Sequence, residues 1–459
     1  MPEEPFSLDN AIIERYIRPL QRPRTDRAGL EFELPIVNRS GAAVDYAVVH
    51  EMTDAFVTAF GFGAEHRDDD GYIHYAADPV SGDTLSFECS YNTLEFSFAP
   101  AEDLNAVYDR FRAYYSFVQD FLRPREHTLT GMGINPRWDK NRTEPVAIGR
   151  YRLLMRHLRS CAEHPGRMEF HEWPQYALFV CASQVQLDAQ EDTVIGAINA
   201  FNRLEPWKAL LFANSPWGEY LCGRAYLDRH GMFGFNPRNV GGYDEPLRDV
   251  EDLIRHIRAT SLFCVERDGH DVRFTPAPLE EYFASPVVRG EYFDGSAWKK
   301  TEFTPRPGDM AFHRSYKCED LTFRGTIEFR SACQQPVSEI MTPAAFHAGL
   351  MEELGALTEL LDAEAPKLEG GKTPMQLRDL YIRRKLPEDL DAGAASAFLT
   401  EVLRLAERGL RRRGHGEEKF LSPLYERART LMSPARRMMT GMENGKPLEY
   451  YIEEYSRLD

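Results

Sequence analysis

The sequence predicts an α+β protein: a mainly antiparallel sheet with helices packed outside it, and a mostly helical C-terminal region. Three observations carry this. Between residues 29 and 98, short strand-like stretches are separated by turn clusters, with no βαβ unit among them. A second strand-rich stretch at 308–333 supplies the remaining strands of the same sheet. From Pro343 onward the apolar residues recur almost wholly with a helical period.

The elements follow in order. Residues 1–25 read as a helical lead-in that ends at Arg22-Pro23-Arg24, and the first strand covers about 29–38, closed by Asn38-Arg39-Ser40-Gly41. The acidic run Asp68-Asp69-Asp70 approaches a hairpin and leads into Tyr72-Ile73-His74-Tyr75, while 84–98 reads as a broken strand. These are expected as consecutive antiparallel strands with short connections. Residues 102–122 switch to helical spacing, with Leu104, Val107, Phe111, Tyr114, Tyr115 and Val118 on one stripe. Further helices are expected at 150–162, 192–212 and 247–261, with a strand at 176–188. Beyond Pro343 the helices fall at 343–363, 374–384 and 388–411, with shorter pieces to 457; Arg411-Arg412-Arg413 followed by Gly414 suits a helix C-terminus. A chain of 459 residues exceeds a typical single domain. The expected division is an α+β core at 1–363 and a helical region at 364–459 packed on it, with 364–373 as linker.

The totals exclude several function classes. A formal charge of −17 argues against nucleic acid or an anionic membrane as partner, since a phosphate backbone requires a basic surface. It does not oppose a nucleotide, whose phosphates metal ions and a few local cations neutralise. No run approaches the ~18–20 apolar residues that span a bilayer. Met1-Pro2-Glu3-Glu4-Pro5 lacks the features of a signal peptide. The seven cysteines show no CxxC or regular framework, so reduced thiols in a cytoplasmic enzyme are expected, with a redox-sensitive pair left open. Cys89 and Cys181 read as small core residues of strands.

Nucleotide signatures are mostly negative. GxGxxG is absent, and Gly371-Lys372-Thr373 lacks the earlier glycine of a phosphate loop and is followed by Pro374, so it reads as an ordinary loop. HExxH and tetrahedral zinc spacing are absent too. The chemistry lies in three acidic strands: Leu30-Glu31-Phe32-Glu33-Leu34, Phe87-Glu88 running to Leu94-Glu95-Phe96, and Ile327-Glu328-Phe329-Arg330. In an extended chain residues i and i+2 share a face, so Glu31 projects with Glu33, Glu95 with Ser97, and Glu328 with Arg330. Alternating Glu on an antiparallel strand is ordinarily a solvated face. Three features weigh jointly against that here. No lysine ladder matches the acids, Arg330 offers a fork suited to carboxylate or phosphate, and oxygen-only ligands are what Mg²⁺ prefers. Gln184 and Gln186 repeat the i, i+2 spacing, which alone reads as a polar edge strand.

Together these stretches resemble the glutamate–cysteine ligase family, particularly its plant and proteobacterial branch. Gly29-Leu30-Glu31-Phe32-Glu33 is similar to the family's opening G-x-E-x-E strand, and Phe87-Glu88-Cys89-Ser90 with Leu94-Glu95 to its F-E-L-S…L-E segment. Ser183-Gln184-Val185-Gln186-Leu187-Asp188 resembles T-V-Q-V-N-L-D, and Leu211-Phe212-Ala213-Asn214-Ser215-Pro216 matches L-F-A-N-S-P. Ile327-Glu328-Phe329-Arg330 falls where the family has L-E-M-R or I-E-V-R, and 416–424 and Ser433-Pro434-Ala435 also fit. The likeness keeps one order from about residue 29 to 435. Two departures bear on substrate choice: Gln186 stands where the family has Asn, and 331–336 lacks a glycine-rich continuation.

The resemblance implies a curved, glutamine-synthetase-like sheet, with residues 1–363 as the core that binds ATP and glutamate. It also implies ligation of the γ-carboxylate of glutamate to the amine of cysteine, with ATP as co-substrate, through γ-glutamyl phosphate. By matching positions, Glu31, Glu33, Glu88, Glu95 and Glu328 would hold two or three Mg²⁺ ions, Mn²⁺ being a possible substitute. Arg330 and Glu328 would act at the transferred phosphate, and Gln184, Gln186 and Arg224 would contact substrate. A γ-glutamyl ligase for another amine, an ATP-independent hydrolase with a carboxylate dyad, and a noncatalytic binding protein are the alternatives.

Overall fold

The computed structural model describes residues 6–160, 173–231 and 236–459. Its strands, in chain order, are β1 (Ala28–Asn38), β2 (Gly63–Arg67), β3 (Ile73–Ala77), β4 (Thr84–Phe87), β5 (Thr93–Ala101), β6 (His127–Leu129), β7 (Ser183–Asp188), β8 (Val240–Gly241), β9 (Ser261–Arg267), β10 (His270–Pro278), β11 (Val288–Phe293), β12 (Trp298–Phe303), β13 (Tyr316–Lys317), β14 (Glu319–Leu321) and β15 (Thr326–Phe329). Nine of them form one antiparallel sheet in the order β14-β15-β7-β1-β5-β4-β3-β2, with β6 on the far end of β1.

Alternation along the strands decides which face is covered. Leu30, Phe32 and Leu34 on β1 and Leu94, Phe96 and Phe98 on β5 are buried on one side. They meet the helix Leu104–Leu122, where Phe111 packs edge-on to Phe32 at 5.4 Å. Its predicted stripe, Leu104 to Val118, is buried throughout. Further along the same side, Phe329 of β15 packs 4.5 Å from Phe201 of the helix Val194–Phe212. The opposite face carries the carboxylates. It looks across a cavity to residues of β9, β10 and β13 and of the turn helix Pro307–Phe312.

The C-terminal region is helical as expected, with helices from Thr342–Glu352 to Leu448–Glu454. Helix Ala392–Arg413 lies so close on Thr342–Glu352 that a Cβ at Gly409 would collide with the carbonyl oxygen of Gly349. Only glycine permits that approach. Gly414 ends the long helix in the left-handed conformation, after Arg411-Arg412-Arg413.

Several expectations are corrected. A helix, Tyr46–Phe60, separates β1 from β2, so the first strands are not joined by short connections alone. Its signals are plain: Asp45 caps it, Val49, Met52, Thr53 and Phe56 form the buried stripe, and Gly61 closes it at φ 69°. The antiparallel sheet β12-β11-β10-β9 was not anticipated. The strand expected at 176–188 begins only at Ser183, and Pro174–Leu178 is a 3₁₀ turn. Helix Leu354–Glu369 runs through most of the expected linker. β7 lies between β15 and β1, so Gln184 and Gln186 are interior to the sheet. Cys89 is buried in the bend after β4, at φ 59°, outside any strand. The acidic run does approach a hairpin: Asp68 accepts the backbone N–H groups of Asp70 and Tyr72. Cys161 and the end of the helix expected at 150–162 lie outside the described residues. The six described cysteines are free thiols, with the sulfurs of Cys222 and Cys333 3.4 Å apart.

Candidate functional site

Register brings the acidic residues together. Glu33 on β1 stands opposite Glu95 on β5, which in turn faces Ser86 on β4. Glu31 lies between Gln184 on β7 and Ser97 on β5, and Glu328 on β15 lies between Gln186 and Asp320. Glu88 reaches the same face from the bend after β4. These side chains floor a cavity of about 800 Å³ that Glu31, Glu33, Glu88, Glu95, Gln184, Arg224, Glu328 and Arg330 all line. That volume lies in the range of small-molecule sites. Gln186 is not a lining residue: its amide donates to Glu31 Oε1 at 3.0 Å and accepts from Arg324 at 2.7 Å. It orients the floor from the same face, beside Glu31.

The local partners are few. Glu33 accepts from the backbone N–H of Ala182 at 2.6 Å and from Gln184 Nε2 at 2.8 Å. Ser97 donates to Glu95 at 2.6 Å, and Arg330 donates to Glu328 at 2.7 Å. Arg224, at the start of the helix Gly223–Gly231, is half-buried beside Asp228 at 3.5 Å and donates to the carbonyl of Arg330 at 2.7 Å. It is no surface arginine.

Glutamates placed opposite one another with so few cations repel. Burial, with Glu328 and then Glu88 adding to it, raises Glu31 to about 7. Burial and Glu88 raise Glu33 to about 8 against the pull of Arg224, and burial with Glu31 and Glu88 takes Glu95 well above the carboxylate range. Burial also opposes the charge of Arg330, yet Glu328, Asp320 and Glu31 outweigh it and hold that pKa above its usual value.

Among the described residues no three His, Cys, Asp or Glu side chains converge to hold an ion by themselves. The donor set nevertheless fits Mg²⁺, which binds through one or two carboxylates plus waters and substrate phosphates. All its donors are oxygen, and Gln184 Oε1 is buried without a partner. Sequence reasoning did not find Asp320, which burial raises to about 6, or Asp228. Glu319-Asp320 lay unread in the same acidic segment that leads into β15.

A carboxylate-floored cavity with a few arginines, on one face of an antiparallel sheet, has the donor chemistry that suits cations or cation-bridged anions. The chain belongs to glutamate–cysteine ligase family 2 (GCS2), whose profile matches residues 27–454. Among curated proteins it is similar to the chloroplastic glutamate–cysteine ligase of Brassica juncea, 25% identical over 77% of this chain and 66% of that protein. Its likeness to the enzyme of the same name from Medicago truncatula is 24% over 75% of this chain and 65% of that one. The chain thus spans just under two thirds of the length of these relatives. Among solved structures, a glutamate–cysteine ligase from Francisella tularensis in complex with AMP overlaps 95% of this chain and 88% of its own, at 10% identity and a TM-score of 0.48. Among the described residues no helix is long and apolar enough to cross a membrane.

Proposed function

We propose that the chain is an ATP- and Mg²⁺-dependent ligase that joins the γ-carboxylate of L-glutamate to the amine of L-cysteine. The observation that carries this reading is the set of Glu31, Glu33, Glu95 and Glu328 on one sheet face with Arg330 beside them. Family membership points the same way.

A carboxylate is a poor acylating group. In the proposed reaction a γ-carboxylate oxygen bonds to the γ-phosphorus of ATP, the β–γ bridging bond breaks, and ADP leaves. The amine nitrogen then attacks the acyl carbon of γ-glutamyl phosphate, phosphate departs, and the amine loses its proton. Phosphoryl transfer is mainly positioning and charge neutralisation. Magnesium, held by Glu31, Glu33, Glu88, Glu95 and Glu328, would supply positive charge for the phosphates. Arg330 would hold the transferred phosphate, and Gln186 and Ala182 N–H keep Glu31 and Glu33 aimed into the cavity. Arg224, tied to Asp228, would take a substrate carboxylate.

Gln186 stands off the cavity, so its departure from the family pattern acts on the floor and leaves the choice of amine to other walls. The test is incubation with Mg-ATP, glutamate and a panel of amines that includes cysteine, following ADP release and product mass. Cysteine-dependent release with γ-glutamylcysteine as product is expected. Hydroxylamine should trap the acyl phosphate as γ-glutamyl hydroxamate. Turnover with another amine alone would favour the alternative acceptor, and no glutamate-dependent ADP release with any amine would end the ligase reading.

A further inference from the structure

The helical lead-in expected ahead of the first strand runs from Leu8 to Gln21, before the stretch 27–454 that the family profile matches. Ser7 caps it, and it passes through a π turn, Ile13–Ile17, into a 3₁₀ turn, Arg18–Gln21. A single π turn in a helix is rare and recurs at functional sites. This one carries Arg15 and Tyr16, and both reach residues 311–313.

Arg15 donates to the carbonyl oxygens of Ala311 at 3.0 Å and His313 at 3.5 Å. The Tyr16 hydroxyl lies 2.7 Å from His313 Nδ1, and Thr260 Oγ1 lies 2.8 Å from His313 Nε2. The hydroxyl protons decide the tautomer. Thr260 gives its one proton to the Ile257 carbonyl at 2.5 Å, so its oxygen accepts from Nε2–H and Nδ1 is left to accept from Tyr16. Burial, with Arg15 and Arg314 adding to it, lowers His313 to about 3, which keeps the ring neutral near pH 7.

These bonds hold cavity wall. Ala311, Phe312 and Arg314 line the cavity across from the carboxylate floor, whereas no residue of the lead-in lines it. The same lead-in also meets the edge of the floor. Its Pro19 carbonyl oxygen lies so close to Gly325 that a Cβ there would come within 2.6 Å. Arg22 donates to the Arg324 carbonyl, and Arg15 lies 5.0 Å over the Phe323 ring. Residues 322–325 form the turn into β15, the strand that carries Glu328. One segment thus ties the wall to the floor from outside the cavity.

We propose that Arg15 and Tyr16 are positioning residues that hold the 311–314 wall in place over the carboxylate floor and so set ligand affinity without touching ligand. That the ligands are Mg-ATP and glutamate rests on the ligase reading. A wall without these bonds is displaced part of the time, and apparent affinity falls with the fraction in place. At saturation the bound ligand holds the wall, so turnover changes little.

The test compares wild type with Arg15→Ala, Arg15→Lys, Tyr16→Phe and Arg18→Ala, by hydrogen–deuterium exchange and by kinetics well below melting. The His313 N–H bonds the Met310 carbonyl at 3.2 Å, so peptides covering 310–316 report on the wall. They should exchange faster in Arg15→Ala and Tyr16→Phe, while β1 and β5 exchange as in wild type. The KM for Mg-ATP should rise about three- to tenfold with kcat within about twofold. Arg15→Lys should recover part of that loss, since an ammonium still donates to a carbonyl. Arg18, whose exposed side chain meets Glu14, is the control on the same segment and should change neither readout. Tyr16→Phe decides the matter if Arg15→Ala melts early. Unchanged KM overturns the proposal even where exchange is faster, as does a fall in kcat alone or an equal change in Arg18→Ala. The two readings fail separately. Wild type without glutamate-dependent ADP release defeats the ligase, and exchange with equilibrium affinity for Mg-ATP then judges the wall. Wild type that ligates while the variants keep its KM defeats the positioning role alone.

Discussion

The chain buries carboxylates in two ways, and the contrast between them locates the site. On the cavity floor, Glu31, Glu33, Glu88, Glu95 and Glu328 share the field of Arg330 and Arg224, and the pKa values of Glu31, Glu33 and Glu95 rise. On the far side of the cavity, Asp309 is buried more deeply than any of them, yet fully served. It accepts two hydrogen bonds from Arg267, at 2.7 and 2.6 Å, one from Tyr282 at 2.6 Å and one from the Arg306 N–H at 2.7 Å. Burial pushes the Asp309 carboxyl up, but these donors outweigh it and hold it below the usual range. A fold can therefore supply every donor a buried acid needs. Where several acids are left with fewer donors at once, as on the floor, their arrangement supports the proposed role in holding a partner that arrives from outside.

The largest expected effects lie on the floor. Glu31→Gln or Glu328→Gln should lower glutamate-dependent ADP release by about a thousandfold, the scale of removing a group that stabilises transition-state charge. Stability should respond in the other direction. A carboxyl raised from about 4.5 to about 7 contributes stability below its unfolded value, and that contribution is lost as pH climbs through the folded one. With chelator present, Glu31→Gln should gain in melting temperature relative to wild type as pH rises from about 4.5 past about 7. Turnover close to wild type in both variants would remove the floor from the reaction.

Asp309→Asn reverses the pattern. It strands Arg267 in a buried place and should cost about 3 kcal/mol of stability, read by denaturant unfolding. The pH sign is opposite as well. A depressed acid contributes stability above its unfolded value, near about 3.9, and loses it as pH falls through the folded one. The gap between wild type and variant should be full at neutral pH and close in acid. Because Asp309 anchors the turn that carries Ala311 and Phe312 into the cavity, ATP affinity should weaken by less than stability does. A gap that widened in acid would contradict this ion pair.

This contrast was half legible in the sequence. The i, i+2 spacing of Glu31 with Glu33 and of Glu328 with Arg330 fixes which residues share a face, because the pleat alternates along regularly paired strand. The order of strands is another matter: that Gln184 lies beside Glu31, with Glu328 one strand further on, is set by pairing across more than a hundred residues of chain. Local pattern does not reach that far. The helix Tyr46–Phe60 was within reach, since its cap, stripe and terminal glycine are all local. The sheet β9–β12 was harder to read, because β9 and β10 show clean burial while β11 and β12 are half exposed along their length. Asp309 gives no local hint of its role, since its donors come from residues 267 and 282 as well as 306.

The smallest expected effect is the sharpest on mechanism. Arg330 gives one nitrogen to Glu328 at 2.7 Å, and its guanidinium lies 5.5 Å from the centre of the Tyr316 ring. The rest of its fork is left for a ligand. Arg330→Lys keeps a positive charge near Glu328 but cannot hold an acid and a phosphate in one plane. Losing one charged hydrogen bond at the transferred phosphate should lower kcat about ten- to a hundredfold while the KM for glutamate stays within about twofold. A raised KM at unchanged kcat would make Arg330 a residue for ground-state binding. That outcome would move it from the phosphate to a substrate carboxylate, alongside Arg224.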